Sequence, residues 1–165
     1  MGLDITAYQG LKEDADKPMT DDYDYDTHVR FWSNSDFPKH IGEKLKERTL
    51  YTFQHRLGFR AGSYSGYNQW REGLAKLIGT TCGRLWDNPQ PGPFVELLNF
   101  SDCEGTIGPE LCAKLYRDFV DHKDKAEKHE PYGADTEANA WWVENYNHWL
   151  HAFEMGMQDG AVDFH

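Results

Sequence analysis

The sequence predicts an α+β fold: a small, mostly antiparallel sheet with about three main helices packed on it. Three observations carry this. Residues 3–8 alternate apolar and polar side chains, the period of a half-buried strand. Three stretches repeat apolar residues at helical spacing: Tyr67, Trp70, Leu74 and Leu77; Leu111, Cys112, Leu115 and Phe119; and Trp142, Tyr146, Trp149, Phe153 and Met157. Such stripes form one buried helix face. The chain then closes on Ala161-Val162-Asp163-Phe164, which reads as a strand after the break at Gly160. At 165 residues it has the length of one domain.

The elements follow in order. After the first strand comes an acidic stretch, residues 13–26, with seven acids against one lysine, read as a solvated loop. Asp22, Asp24 and Asp26 alternate as calcium ligands can. However, Thr27 and Ser33 stand where a calcium loop needs glycine and glutamate. Residues 28–32 read as a short strand and 41–47 as one or two helical turns. Leu50 to Arg60 reads as a strand that Gly58 bends or bulges. A glycine-rich connection follows, then a helix over 66–78 stopped by Gly79. Residues 80–93, with Asp-Asn-Pro-Gln-Pro-Gly-Pro, are a loop. Phe94 to Phe100 is an apolar run that fits a buried strand or a short helix, and the flanking proline and polar turn favour the strand. Pro109 suits the first position of a helix. Asp135 or Thr136 can cap the last one.

Composition excludes some functions. Aromatic residues make up 15% of the chain, and large rings let a modest apolar count build a core. The net charge of −11 repels phosphate backbones, so direct nucleic-acid binding is not expected. Cys82, Cys103 and Cys112 form no metal-binding spacing. A sparse, odd set of thiols fits a reducing cytoplasm, and the N-terminal residues lack the basic and apolar regions of a secretion signal. No apolar run has membrane-spanning length.

Two connections carry candidate site residues. Residues 60–71 bring Arg60, Ser63, Tyr64, Ser65, Asn68 and Arg71 to the start of a helix. Backbone N–H groups there favour an anion. The arginines supply charge, the serines and Asn68 supply hydrogen bonds, and Tyr64 a stacking face. Neither phosphate-loop nor dinucleotide glycine spacing is present. In a purely structural reading, Ser65 caps the helix while Tyr67 and Trp70 fill the core. Residues 99–108 bring Asp102 and Glu104, able to face the same pocket; Cys103 has no local histidine base. Glu144, His148 and His151 share one side of the last helix at metal-binding spacing, but a wet helix surface explains them more simply. Phe164 anchors the chain end in the core, which places His165 near other polar groups.

The opening eight residues, Phe59 to Asn68 with Trp70-Arg71, Asn99 to Gly108, and Gly160 to His165 resemble a group of small uncharacterised proteins encoded by phages and prophages. That resemblance implies a setting in the bacterial host cytoplasm, where small proteins counter host defences. It implies no activity and no functional residue.

The residues therefore point first to a binding protein that captures a small anionic ligand, such as a nucleotide, on the 60–71 connection. An acidic inhibitor or nucleic-acid mimic acting on a host protein is the alternative. A hydrolase using Asp102, Glu104 and a histidine brought in by folding is the third reading. It ranks last because no complete catalytic set is visible. No cofactor or metal is expected.

Overall fold

The computed structural model describes residues 2–17, 22–100 and 104–165. Its strands are β1 (Gly2–Gln9), β2 (Lys12–Glu13), β3 (His28–Val29), β4 (Tyr51–Thr52), β5 (His55–Ser63), β6 (Gly105–Ile107) and β7 (Ala161–Phe164). Its helices are α1 (Tyr64–Leu77), α2 (Cys82–Asp87), α3 (Val95–Asn99), α4 (Pro109–Asp121), α5 (Lys123–Ala126) and α6 (Thr136–Gly156). A four-stranded antiparallel sheet runs in the order β5-β1-β7-β6, and a three-stranded one in the order β2-β4-β3. The α+β expectation is met.

The alternation in β1 decides the layering. Leu3, Ile5 and Ala7 are buried, so Asp4, Thr6 and Tyr8 point to the opposite face. On the buried side, α6 lies across β1 and β7, α1 packs on β5, and α4 packs on α6. Trp70, Trp142 and Trp149 fill the centre of this layer; Trp70 stacks at 6.3 Å on Trp142 and 5.6 Å on Trp149. Two of these indoles satisfy each other's backbone: Trp70 Nε1 donates to Trp142 O, and Trp142 Nε1 to Trp70 O. The pairing answers the hydrogen-bond demand of rings buried this deeply. It also requires Gly73, because a Cβ there would sit 2.4 Å from Trp142 Nε1.

The other face is covered at one end only. The small sheet carries a second apolar cluster of Val29, Phe31, Ile41, Leu45 and Tyr51, which closes over Ala161. Tyr8 packs edge-on against Phe31 at 5.6 Å and Phe53 at 5.2 Å. The sheet beyond Tyr8, towards Thr6 and Asp163, lacks this cover and forms the floor of an open cleft.

Several local expectations are corrected. Residues 94–100 hold helix α3 and not a strand. The apolar run is too short for its period to separate the two. Phe94 at φ 59° turns the chain, and its N–H donates to Asp118 Oδ2. Within 80–93, Thr81 caps the short helix α2. The turn before Gly42 is a 3-10 turn over Pro38–Ile41, earlier than 41–47. The stretch from Leu50 divides between two sheets, β4 in the small one and β5 in the large one. Gly58 stays in regular register opposite Thr6; the irregularity falls between Leu3 and Asp4, where Gly62 and Arg60 are the partners. Among the described residues, no helix is long and apolar enough to cross a membrane.

Candidate functional site

The 60–71 segment is not a loop. Strand β5 runs to Ser63 and α1 begins at the next residue. Ser63, not Ser65, is the N-cap, accepting from Gly66 N at 3.1 Å, and Ser65 Oγ lies 3.1 Å from it. Arg71 is 1% exposed. It donates through Nη1 to Leu98 O at 2.6 Å and through Nη2 to Asn68 Oδ1 at 2.5 Å. Its guanidinium also lies over Tyr67 and Trp86. Arg71 therefore ties α1 to α3 inside the protein and offers nothing to a surface anion, with Asn68 committed to it. Arg60 is exposed and lies over Gly2, and Tyr64 is 43% exposed.

The two candidate connections do not share a pocket. Glu104 precedes β6, which lies at the opposite edge of the sheet from β5. Three strand spacings, about 14 Å, separate them. Asp102 and Cys103 lie outside the described residues. The histidines of α6 do not gather either: His151 Nδ1 meets Glu154 Oε2 at 3.2 Å, and His148 lies against Phe59. Among the described residues, no group of three or more His, Cys, Asp or Glu could hold a metal.

A different site emerges from the register of the large sheet. Gly58, Thr6, Asp163 and Thr106 stand opposite one another across its four strands, so all four occupy the helix-free face. One row further on are Arg60 and Asp4, with His165 joined to Asp4 by two backbone hydrogen bonds. Two adjoining cavities open over these rows. One, of about 550 Å³, is lined by Trp32, Ser35, Glu104, Asp163 and His165 among others. The other, of about 480 Å³, takes in Thr6, Tyr8, Tyr23, Arg30, Gly58, Asp163 and His165. Asp163 and His165 belong to both.

Asp163 is the unusual group. Burial pushes its carboxyl up to about 7, although the hydrogen bond from Thr106 Oγ1 at 2.8 Å pulls the other way. No ion pair to it occurs among the described residues. A carboxyl in that state can donate or accept a proton near neutral pH. The Tyr8 phenol is pushed up to about 12, first by burial and then by the negative charge of Asp163. The Tyr23 phenol is raised by burial first and then by Tyr25 and Asp163, partly offset by Arg30. His165 Nε2 lies 2.8 Å from Thr6 Oγ1, which holds its ring against the cleft wall. Arg30 lies between the rings of Tyr23 and Trp32, at 5.5 and 5.3 Å. Arg56 donates to Tyr25 O and Asp26 Oδ1.

No protein-family model, curated protein or solved structure matches this chain. The site therefore rests on its own geometry.

Of the candidate residues among those described, only Glu104 lines this cleft. The residues missed were Thr6, Trp32, Gly58 and Asp163, with His165 placed but given no role. The signal was present in the period of two. If Leu3, Ile5, Val162 and Phe164 face the core, then Thr6, Asp163 and His165 must share the other face. What the sequence could not supply was the pairing of β1 with β7, across more than 150 positions.

Proposed function

We propose that this protein binds a small polar, ring-bearing ligand in the double cleft on the helix-free face of its sheet, with Asp163 and His165 at the centre. The observation that carries this reading is the placement of Asp163, a nearly buried carboxyl with one hydrogen bond among the described residues, where the two cavities meet. An ionisable group kept in such a place costs stability, and concave sites with convergent polar groups are where ligands bind. The proposal moves the ligand from the 60–71 segment to this cleft and alters its expected chemistry. Arg56 is already committed to Tyr25 O and Asp26, and Asp163 and Glu104 add carboxyls. Hydroxyl groups and ring faces suit such a lining better than phosphate does.

Gly58 provides the test. A Cβ there would meet nothing nearer than Ile5 O at 3.8 Å, so a leucine side chain would project into the cleft without disturbing the sheet. Thermal shift of the wild type against millimolar saccharides, nucleosides and nucleotides should find a stabilising compound. A ligand at one hundred times its dissociation constant adds about 2.7 kcal/mol. Gly58→Leu should abolish that shift. The reading fails if no compound stabilises the wild type, or if Gly58→Leu responds as the wild type does.

A further inference from the structure

We infer that the outer edge of β5 docks an extended, acidic peptide segment of another protein as a fifth strand of the large sheet. This interaction surface does not depend on the ligand cleft.

The sheet ends in two unlike edges. β6 has three residues, whereas β5 has nine. β5 pairs with β1 alone, and no other strand lies on its outer side among the described residues. The hydrogen-bond pattern fixes which backbone groups face outward. Asp4 exchanges both backbone bonds with His165. Asp4, Thr6 and Tyr8 therefore bond towards β7, and Ile5, Ala7 and Gln9 towards β5. The partners of the second set, Phe59, Leu57 and His55, bond inward to β1. Arg56, Gly58 and Arg60 are left with N–H and C=O directed away from the sheet. All three residues are exposed. They make no further backbone–backbone hydrogen bond among the described residues. Donors and acceptors repeated at every second residue are a template for another strand.

The side chains along this edge define what it takes. β5 carries His55, Arg56 and Arg60 and no acid, in a chain whose net charge is −11. Arg56 is held by Asp26. Arg60 enters no ion pair among the described residues, although Asp4 stands opposite it. A carboxylate on the incoming strand across from Arg60 is favoured, and a like charge there is disfavoured. On the helix side of the sheet, Leu57 and Phe59 are only partly buried, so apolar side chains across from them extend the core. Gly58 leaves a bare place on the open face, where a Cβ would meet nothing nearer than Ile5 O at 3.8 Å. An aromatic ring from the neighbouring strand covers such a glycine. In antiparallel addition the incoming positions read, in chain order, acid, apolar, aromatic, apolar. A second copy of this chain fits poorly. Two β5 strands crossing at Gly58 set Arg56 against Arg60 in both directions, and each copy brings the same negative charge.

The experiment uses the whole chain, labelled with nitrogen-15, and a capped peptide of sequence TEVYVTT. Its glutamate is placed for Arg60 and its tyrosine for Gly58. Amide hydrogen exchange is followed by NMR. Without peptide, the amides of Arg56, Gly58 and Arg60 should exchange freely while those of His55, Leu57 and Phe59 are protected. At saturating peptide the first set should become protected too. N-methylation of the peptide at tyrosine should weaken binding about tenfold, because that N–H faces β5. N-methylation at the second valine, whose N–H faces water, should change affinity by less than about twofold. Arg60→Glu should weaken binding about threefold and make the peptide with lysine in place of glutamate the better ligand. Protection of all six amides in the free chain would overturn the inference, since the edge would already be covered. So would a concentration-dependent dimer that protects the edge, equal effects of the two N-methyl groups, or no binding at millimolar peptide.

Discussion

At the scale of single residues, two buried ionisable groups do opposite work. Asp163 weakens the fold as pH rises. Its carboxyl is raised to about 7, against about 3.9 in an unfolded chain. Between those values the folded protein holds the proton more tightly, so this group's contribution to stability declines as pH climbs from about 4 to about 7. Asp163→Asn removes the slope. Urea denaturation at pH 5 and pH 8 should show the variant gaining stability relative to wild type at the higher pH; an equal difference at both would refute the burial of this carboxyl. Arg71 instead holds α1 and α3 together through Leu98 O and Asn68. Arg71→Ala should cost about 3 kcal/mol, from lost packing and an unpaired buried carbonyl. Arg71→Lys should not restore it, since an ammonium lacks the fork that spans both acceptors. The sequence showed Arg71 as a cation near a helix start. Its burial could be read only from its place on the same stripe as Tyr67, Trp70 and Leu74, where a charged residue looks out of pattern.

At the scale of elements, local signals were legible and the partners were not. The stripes of α1, α4 and α6, the Pro109 start and the Asp135 cap appear where the sequence places them. The structural reading of the sequence put the cap at Ser65, and the length of β5 moves it to Ser63. Ser63→Ala should cost about 1 kcal/mol, and Ser65→Ala much less, measured by chemical denaturation. Gly73 sets two effects against each other. Alanine favours a helix interior by about 1 kcal/mol, but its methyl would meet Trp142 Nε1 at 2.4 Å. Overpacking of a full core costs about 1–3 kcal/mol, so Gly73→Ala should destabilise. A more stable Gly73→Ala would show that the reciprocal tryptophan pairing is loose. The 94–100 segment shows the limit of a short apolar run. Its helix depends on the turn at Phe94 and on Asp118 from α4, and neither is visible locally.

At the scale of the whole molecule, the acidic surplus has local uses. Glu13 pairs with Lys46, Asp14 with His28 and Asp26 with Arg56, while Asp24 caps its own turn at Asp26 N. Hydrogen bonding to His28 holds the Asp14 carboxyl below the usual carboxylate range. These contacts pull part of the 13–26 segment onto the helix-free side of the sheet, where Tyr23 and Tyr25 become cleft walls. The net charge alone had suggested an inhibitor or nucleic-acid mimic; the structure spends several of those acids on folding. The sheet order explains why the site stayed hidden. Thr6, Glu104 and Asp163 are far apart in the chain, and meet only because β7 inserts between β1 and β6.

The most direct test of this account is the titration of the Asp163 carboxyl itself, followed by carbon-detected NMR with Asp163→Asn to assign the signal. The account predicts a midpoint near pH 7. A midpoint near 4 would mean a solvated carboxylate on an ordinary surface, and would contradict the site built around it.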